Sequence, residues 1–172
     1  MIRLATEKDI DRVEEIYTAI HDEEEAGRVT IGWNRNIYPV RQTAIDALGR
    51  GDLFVEELEG QITATGIINR TQLPEYADCQ WSHDPPEDRI MVLHTLVVDP
   101  AAKARGYGKA FIDFYERYAL ERDCPYLRID TQAKNKNARR FYAGLGYKEM
   151  GIVPCMFYGI GMVQLVCIEK TL

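Results

Sequence analysis

The sequence predicts a mixed α/β (α+β) domain of about six to seven strands and about four helices. Three observations lead there. Short apolar runs of strand length alternate with segments of helical period along the whole chain. The longest apolar run, Ile90-Met91-Val92-Leu93-His94-Thr95-Leu96-Val97-Val98, stops at Asp99-Pro100 and is followed by a glycine turn and then by aromatics at helical spacing. With 172 residues, 46% hydrophobic and 28% charged, the chain has the size and composition of one ordinary globular domain over 1–172.

Taken in order, residues 2–5 form a short strand, and Thr6 suits the N-cap of a helix carrying Ile10, Val13, Ile16, Tyr17 and Ile20 on one face. The acidic run Asp22 to Glu25 and Gly27 end that helix. The run reads as a solvated helix end, and acids close to an amine site also attract a cationic substrate. Residues 28–39 carry Trp33 and Tyr38 and close on Pro39, and a short helix through Ala44, Ile45 and Leu48 then stops at Gly49 and Gly51. Leu53 to Leu58, the turn Glu59-Gly60 and Ile62 to Ile68 alternate as a hairpin. Residues 69–88, with tandem prolines, Tyr76 and Trp81, read as a long loop able to fold over a pocket.

Strand 90–98 is apolar enough to be buried on both faces. Phe111, Phe114, Tyr115 and Tyr118 then mark a helix to about Arg122. A strand from Tyr126 to Asp130, a helix with Ala138, Phe141, Tyr142 and Leu145 ending at Gly146, and strands near 147–153 and 162–170 complete the chain. No repeat, linker or second domain is visible.

Composition excludes several functions. A net charge of −6 opposes nucleic-acid binding, which needs a positive face. Locally the balance reverses: Lys103, Arg105, Lys109, Arg117, Arg122, Arg128, Lys134, Lys136, Arg139 and Arg140 are concentrated in one stretch, which suits a compact anionic ligand. The four cysteines show no Cys-x-x-Cys spacing and only three histidines are present, so no metal is expected; Cys79 with His83 is the nearest approach to a zinc pair. Met1 to Thr6 reads as a strand and not as a signal peptide, and no apolar run approaches the roughly 20 residues of a membrane span. The expectation is a soluble protein of a reducing compartment, the cytoplasm, with no membrane partner.

The turn Lys103-Ala104-Arg105-Gly106-Tyr107-Gly108-Lys109 lies between a buried strand and a helix start, where free N–H groups and the helix dipole suit a phosphate or pyrophosphate. A dinucleotide fingerprint needs Gly or Ala where Phe111 stands, although Asp130 lies at a suitable distance downstream. A P-loop needs Gly at 103 and Ser or Thr at 110, which are Lys103 and Ala110. A plain helix start with two permissive glycines is the other reading.

The segment from Leu96 to Ala110 resembles the acetyl-CoA motif of the GNAT superfamily of N-acetyltransferases, usually (Arg/Gln)-x-x-Gly-x-(Gly/Ala) after a strand. Lys103 stands where Arg or Gln is usual. Further on, Asn135-Lys136-Asn137-Ala138-Arg139-Arg140-Phe141-Tyr142-Ala143-Gly144-Leu145-Gly146-Tyr147 resembles the family's Asn-x-x-Ala-x-x-Phe-Tyr-x-x-x-Gly-(Phe/Tyr). The order of elements agrees along nearly the whole chain, with motif-grade detail in 92–147. The resemblance implies the GNAT fold: a mixed, mostly antiparallel sheet splayed between strands 90–98 and 126–131, flanked by helices.

It also implies roles. Acetyl-CoA would be the acetyl donor, its pyrophosphate on the amides of the turn with Lys103, Ala104, Arg105, Gly106, Tyr107, Gly108 and Lys109 in contact, and its pantetheine arm along Leu96, Val97 and Val98. Asn135 matches the asparagine that binds that arm, and also reads as a helix N-cap. Tyr142 matches the acid that protonates the departing thiolate; a core tyrosine is the other reading. His94 falls where arylalkylamine-type members carry a catalytic histidine, and a neutral imidazole accepts a proton at pH 7. A core histidine bonded to a neighbouring strand is the alternative, with Glu56, Glu57 or water as substitute bases. Val92 occupies the place of the glutamate base of histone-acetylating members.

The acceptor side is bounded by 28–38, 69–88 and the hairpin near Phe157 and Tyr158. Trp33, Tyr38 and Trp81, with Tyr76, form a candidate aromatic wall for a small-molecule primary amine. The rival functions are acetylation of a protein N-terminus or lysine, and a non-catalytic acyl-CoA-binding module. Family members often form homodimers, but no interface is legible in this sequence.

Overall fold

The computed structural model describes residues 1–102 and 106–172; Lys103, Ala104 and Arg105 lie outside the described residues. Seven strands, β1 (Ile2–Leu4), β2 (Leu53–Leu58), β3 (Gln61–Asn69), β4 (Ile90–Val98), β5 (Tyr126–Gln132), β6 (Lys148–Phe157) and β7 (Gly161–Thr171), form a sheet of order β1-β2-β3-β4-β5-β7-β6. Among the described residues four α-helices accompany it: α1 (Ile10–Glu25), α2 (Arg41–Arg50), α3 (Tyr107–Leu120) and α4 (Lys136–Gly144). This is the α/β architecture expected, and the pairings β1 with β2, β2 with β3, β5 with β7, and β6 with β7 are antiparallel.

The chain falls into two compact units: Met1–Val29 with Trp33–Ile68 and Leu93–Tyr115, and Thr30–Gly32 with Asn69–Val92 and Glu116–Leu172. In the first, the apolar face read from the sequence packs as expected: Val13, Ile16, Ala44, Ala47 and Val55 are fully buried. The entry to α1 is built differently. A short turn, Glu7–Asp9, precedes the helix, and Asp9 Oδ2 accepts from both the amide (2.7 Å) and the hydroxyl (2.9 Å) of Thr6. Arg3 also donates to that carboxylate at 2.7 Å, and these hydrogen bonds, opposed by burial, hold its pKa down at about 2. The acidic run lies inside the last turn of α1, where Arg28 and Arg35 pair with Glu23, Asp22 and Glu25.

Gly49 is helical, and Gly51 at φ 75° makes the left-handed C-cap of α2. The β2–β3 turn uses Glu59 at φ 51° and Gly60 at φ 77°, the two left-handed residues that a two-residue hairpin requires. Gly66 pairs with Phe54, and a Cβ there would sit 2.8 Å from the Phe111 ring, so its bare backbone lets α3 lie close on β3. Phe111 is fully buried, and Phe114 of the same helix meets the Phe54 ring at 5.5 Å. Truncating such a core ring costs about 3–5 kcal/mol, so this contact holds α3 on the sheet.

The second unit centres on Tyr76, Ile90, Val92, Val153, Cys155, Leu165 and Cys167, with Leu73, Cys79, Trp81, Tyr126 and Val163 packed around them. Residues 69–89 are therefore no bare loop: the turns Pro74–Asp78 and Glu87–Arg89 shape them, and Tyr76 enters the core. No helix among the described residues is long and apolar enough to cross a membrane.

Candidate active site

The site is organised by β4, whose residues up to Val92 belong to the second unit and whose residues from Leu93 onward belong to the first. Its residues Ile90 to Leu93 are buried, whereas His94, Thr95 and Leu96 are half-buried, Val97 is buried again and Val98 is half-buried. The change begins at a backbone outlier. Thr95 has φ 51°, a left-handed conformation that costs a β-branched residue roughly 1–3 kcal/mol and that within a strand marks a bulge. His94 immediately precedes it.

The Tyr38 hydroxyl and Thr95 Oγ1 share a short hydrogen bond, and the Trp33 ring meets that of Tyr38 edge-on at 5.9 Å. Tyr38 is held in turn, because its amide donates to Asn34 O at 2.8 Å and His21 Nε2 donates to Pro39 O at 2.9 Å. Of the predicted acceptor residues, Trp33 and Tyr38 thus lie together and reach β4. Nearby on α1, Tyr17 is 1% exposed; burial, followed by the neighbouring Tyr38, pushes its pKa up.

The exit from β4 is pinned from several sides. The Asp99 amide donates to Thr63 O at 2.9 Å, Asp99 Oδ1 accepts from the Ala101 amide at 2.8 Å, and Oδ2 accepts from Arg12 of α1. After the undescribed Lys103, Ala104 and Arg105, Gly106 stands at φ 82° and its carbonyl accepts from Ala110 at 2.9 Å as α3 starts. By helix geometry the amides of Tyr107, Gly108 and Lys109 have no partner within the helix, which suits an anion. The Lys109 ammonium itself is matched to Asp113 at 2.6 Å. Among the substitute bases, Glu57 is bound to Arg3 at 2.7 Å, while Glu56 is 7% exposed with no hydrogen-bond partner for Oε2 among the described residues, and burial raises its pKa.

The second unit carries Asn135, Tyr142 and Trp81. Asn135 Oδ1 accepts from the Ala138 amide at 3.1 Å and so caps α4; its Nδ2 donates to no described residue. Tyr142 is 7% exposed, with its ring edge-on to Phe141 at 5.2 Å and to Tyr147 at 5.9 Å. Burial, and after it the charge of Asp130, raises the phenol pKa, so the hydroxyl stays protonated throughout the neutral range. Trp81 is otherwise occupied: Nε1 donates to Tyr76 O at 2.9 Å and the Arg128 guanidinium lies 4.1 Å from the ring centroid. Tyr76 itself donates to Asp130 Oδ2 at 2.7 Å. A 600 Å³ cavity in this unit is lined by Tyr76, Trp81, His83 and Arg128 among others.

Thr95 and the Arg12–Asp99 pair escaped the sequence reading. A threonine inside an apolar strand carries no signal of a left-handed φ, whereas Asp99-Pro100 was legible as a strand end and therefore as a place to look for a local cap. Among the described residues no group of three His, Cys, Asp or Glu side chains is placed to hold a metal ion.

Comparison with known proteins shows the family and the fold. The family model described as acetyltransferase (GNAT) family matches residues 10–147. An uncharacterised N-acetyltransferase of Methanocaldococcus jannaschii is 32% identical over 76 residues, 44% of this chain, and the match spans only 34% of that relative's length. A GNAT-family acetyltransferase from Streptococcus agalactiae superposes with TM-score 0.82 at 21% identity, over 100% of this chain and 95% of its own. A putative acetyltransferase from Salmonella typhimurium, solved with its cofactor acetyl-CoA, gives TM-score 0.70 at 16% identity, over 99% of this chain and 92% of its own.

Proposed function

Because this chain belongs to the acetyltransferase (GNAT) family, we propose that it transfers the acetyl group of acetyl-CoA to a primary amine of a small molecule, using residues 1–172 as a single catalytic domain. The observation that supports this reading most is β4, which is buried to Leu93, opens at His94 to Leu96 around the left-handed Thr95, and leads to the glycine-started α3.

The amine reacts as the free base. Its nitrogen forms a bond to the thioester carbonyl carbon, the carbonyl oxygen takes up the charge, and collapse expels the CoA thiolate while the nitrogen loses a proton. His94 accepts that proton, directly or through water. Tyr142 donates a hydrogen bond to the departing sulfur. A buried phenol is a weaker acid than an ordinary thiol, so this bond stabilises charge as it develops and does not deliver a free proton in advance. Asn135 binds the pantetheine arm through Nδ2, and the amides from Gly106 to Lys109 receive the pyrophosphate. Trp33 and Tyr38 line the amine side.

Calorimetry with acetyl-CoA, followed by thiol release with a panel of primary amines, tests the reading. No binding at millimolar acetyl-CoA sinks it, and turnover only with peptides moves the acceptor to a protein N-terminus or lysine. Tyr142→Phe is expected to lower kcat about 100-fold with acetyl-CoA affinity kept; an unchanged kcat removes its role.

A further inference from the structure

We propose that Tyr38 is a positioning residue: its hydroxyl, bound to Thr95 Oγ1, holds the bulge in β4 that presents His94 to the reaction. The proposal rests on β4 being the acetyl-transfer strand, and it assigns Tyr38 a task distinct from touching the amine.

Thr95 is the one β-branched residue recorded at positive φ among the described residues, and it lies inside a strand. No local preference keeps threonine there, since its Cβ makes the left-handed region unfavourable. Such a conformation persists only where the surroundings over-determine it. The hydrogen bond from residue 38 supplies that constraint across 57 positions of sequence. Its other end is rigid, being fixed by the Asn34 carbonyl, the Trp33 ring and the anchoring of Pro39 O on the buried His21.

A bulge also changes which face the following side chains present. Burial along β4 changes at the same point, from the closed Ile90–Leu93 to the half-open His94–Leu96. Without the Tyr38 hydroxyl, Thr95 is free to return to the ordinary β region, and His94 and Leu96 turn with it. A displacement of this kind costs about 100-fold in rate even when nothing in contact with substrate has been removed.

A double-mutant cycle separates the two tasks. Tyr38→Phe alone is expected to lower kcat about 100-fold with acetyl-CoA affinity unchanged. Thr95→Val, which keeps the shape but loses the hydroxyl, is expected to reproduce that loss. Glycine adopts positive φ without strain, so in a Thr95→Gly background the further cost of Tyr38→Phe is expected to shrink to within about threefold. A Tyr38→Phe penalty of the same size in both backgrounds means that Tyr38 acts on the amine itself and overturns the proposal, as does a fully active Thr95→Val. The conformation of Thr95 is a second readout, independent of whether the protein transfers acetyl groups. A crystal structure of Tyr38→Phe with Thr95 still left-handed refutes the clasp whether or not the protein binds acetyl-CoA.

Discussion

Trp33 with Tyr38, in the stretch closed by Pro39, and Tyr76 with Trp81, in a segment read as a long loop, are two aromatic pairs of equal spacing. Their ring geometries are similar, edge-on at 5.9 Å and 5.2 Å. Their surroundings are not. Tyr76 is 2% exposed and donates to Asp130, and Trp81 donates to the Tyr76 carbonyl beneath the Arg128 guanidinium, so this pair closes a core. The other pair is half-buried, and the Tyr38 hydroxyl meets a left-handed residue of β4. An aromatic loop residue thus becomes structural where a sheet face needs covering, and becomes available to a site where the strand it meets is opened.

Trp81→Ala gives the sharpest test of that contrast, with an expected loss of roughly 3 kcal/mol in denaturant unfolding and kcat per folded molecule retained. Trp33→Ala should lose far less stability and weaken apparent amine affinity instead. Equal destabilisation by the two would erase the difference between the pairs.

The same distinction between satisfied and unsatisfied groups separates two carboxylates of the first unit. Asp9, held at about 2 against an ordinary 3.8, stabilises the fold above pH 4 and loses that contribution as pH falls through about 2. Asp9→Asn should therefore cost about 2 kcal/mol at pH 7 and nothing below pH 2, as read from urea midpoints across pH. A loss independent of pH contradicts the ion-pair account.

Within the closed pair, Tyr76→Phe removes the donor to Asp130 and should cost about 1.5 kcal/mol, measured with the amine KM as control. A shift in KM with no change in stability would move Tyr76 to the side of Tyr38.

Glu56→Gln carries the smallest effect. Burial raises the Glu56 pKa, so its charged form opposes folding, and the penalty is absent below the ordinary glutamate pKa and grows as pH rises above it. The amide should add about 2–4 °C to Tm at pH 8 and little at pH 4. The same gain at both would mean that the charge is not the cause.

Much of this was written locally in the chain. The apolar face of α1, the Glu59-Gly60 turn, the buried strand that ends at Asp99-Pro100 and the glycine start of α3 are properties of windows a few residues long, where propensity, period and φ tolerance suffice. The two family motifs are equally local, and they carried the identification. The contacts that divide the aromatic pairs join residues far apart in sequence: Tyr38 to Thr95 across 57 positions and Tyr76 to Asp130 across 54. The left-handed turn of Thr95 runs against its own preference, and the capture of Asp99 by Arg12 crosses 87 positions. Such choices are made by packing, because only the assembled fold brings the deciding partner within hydrogen-bond reach.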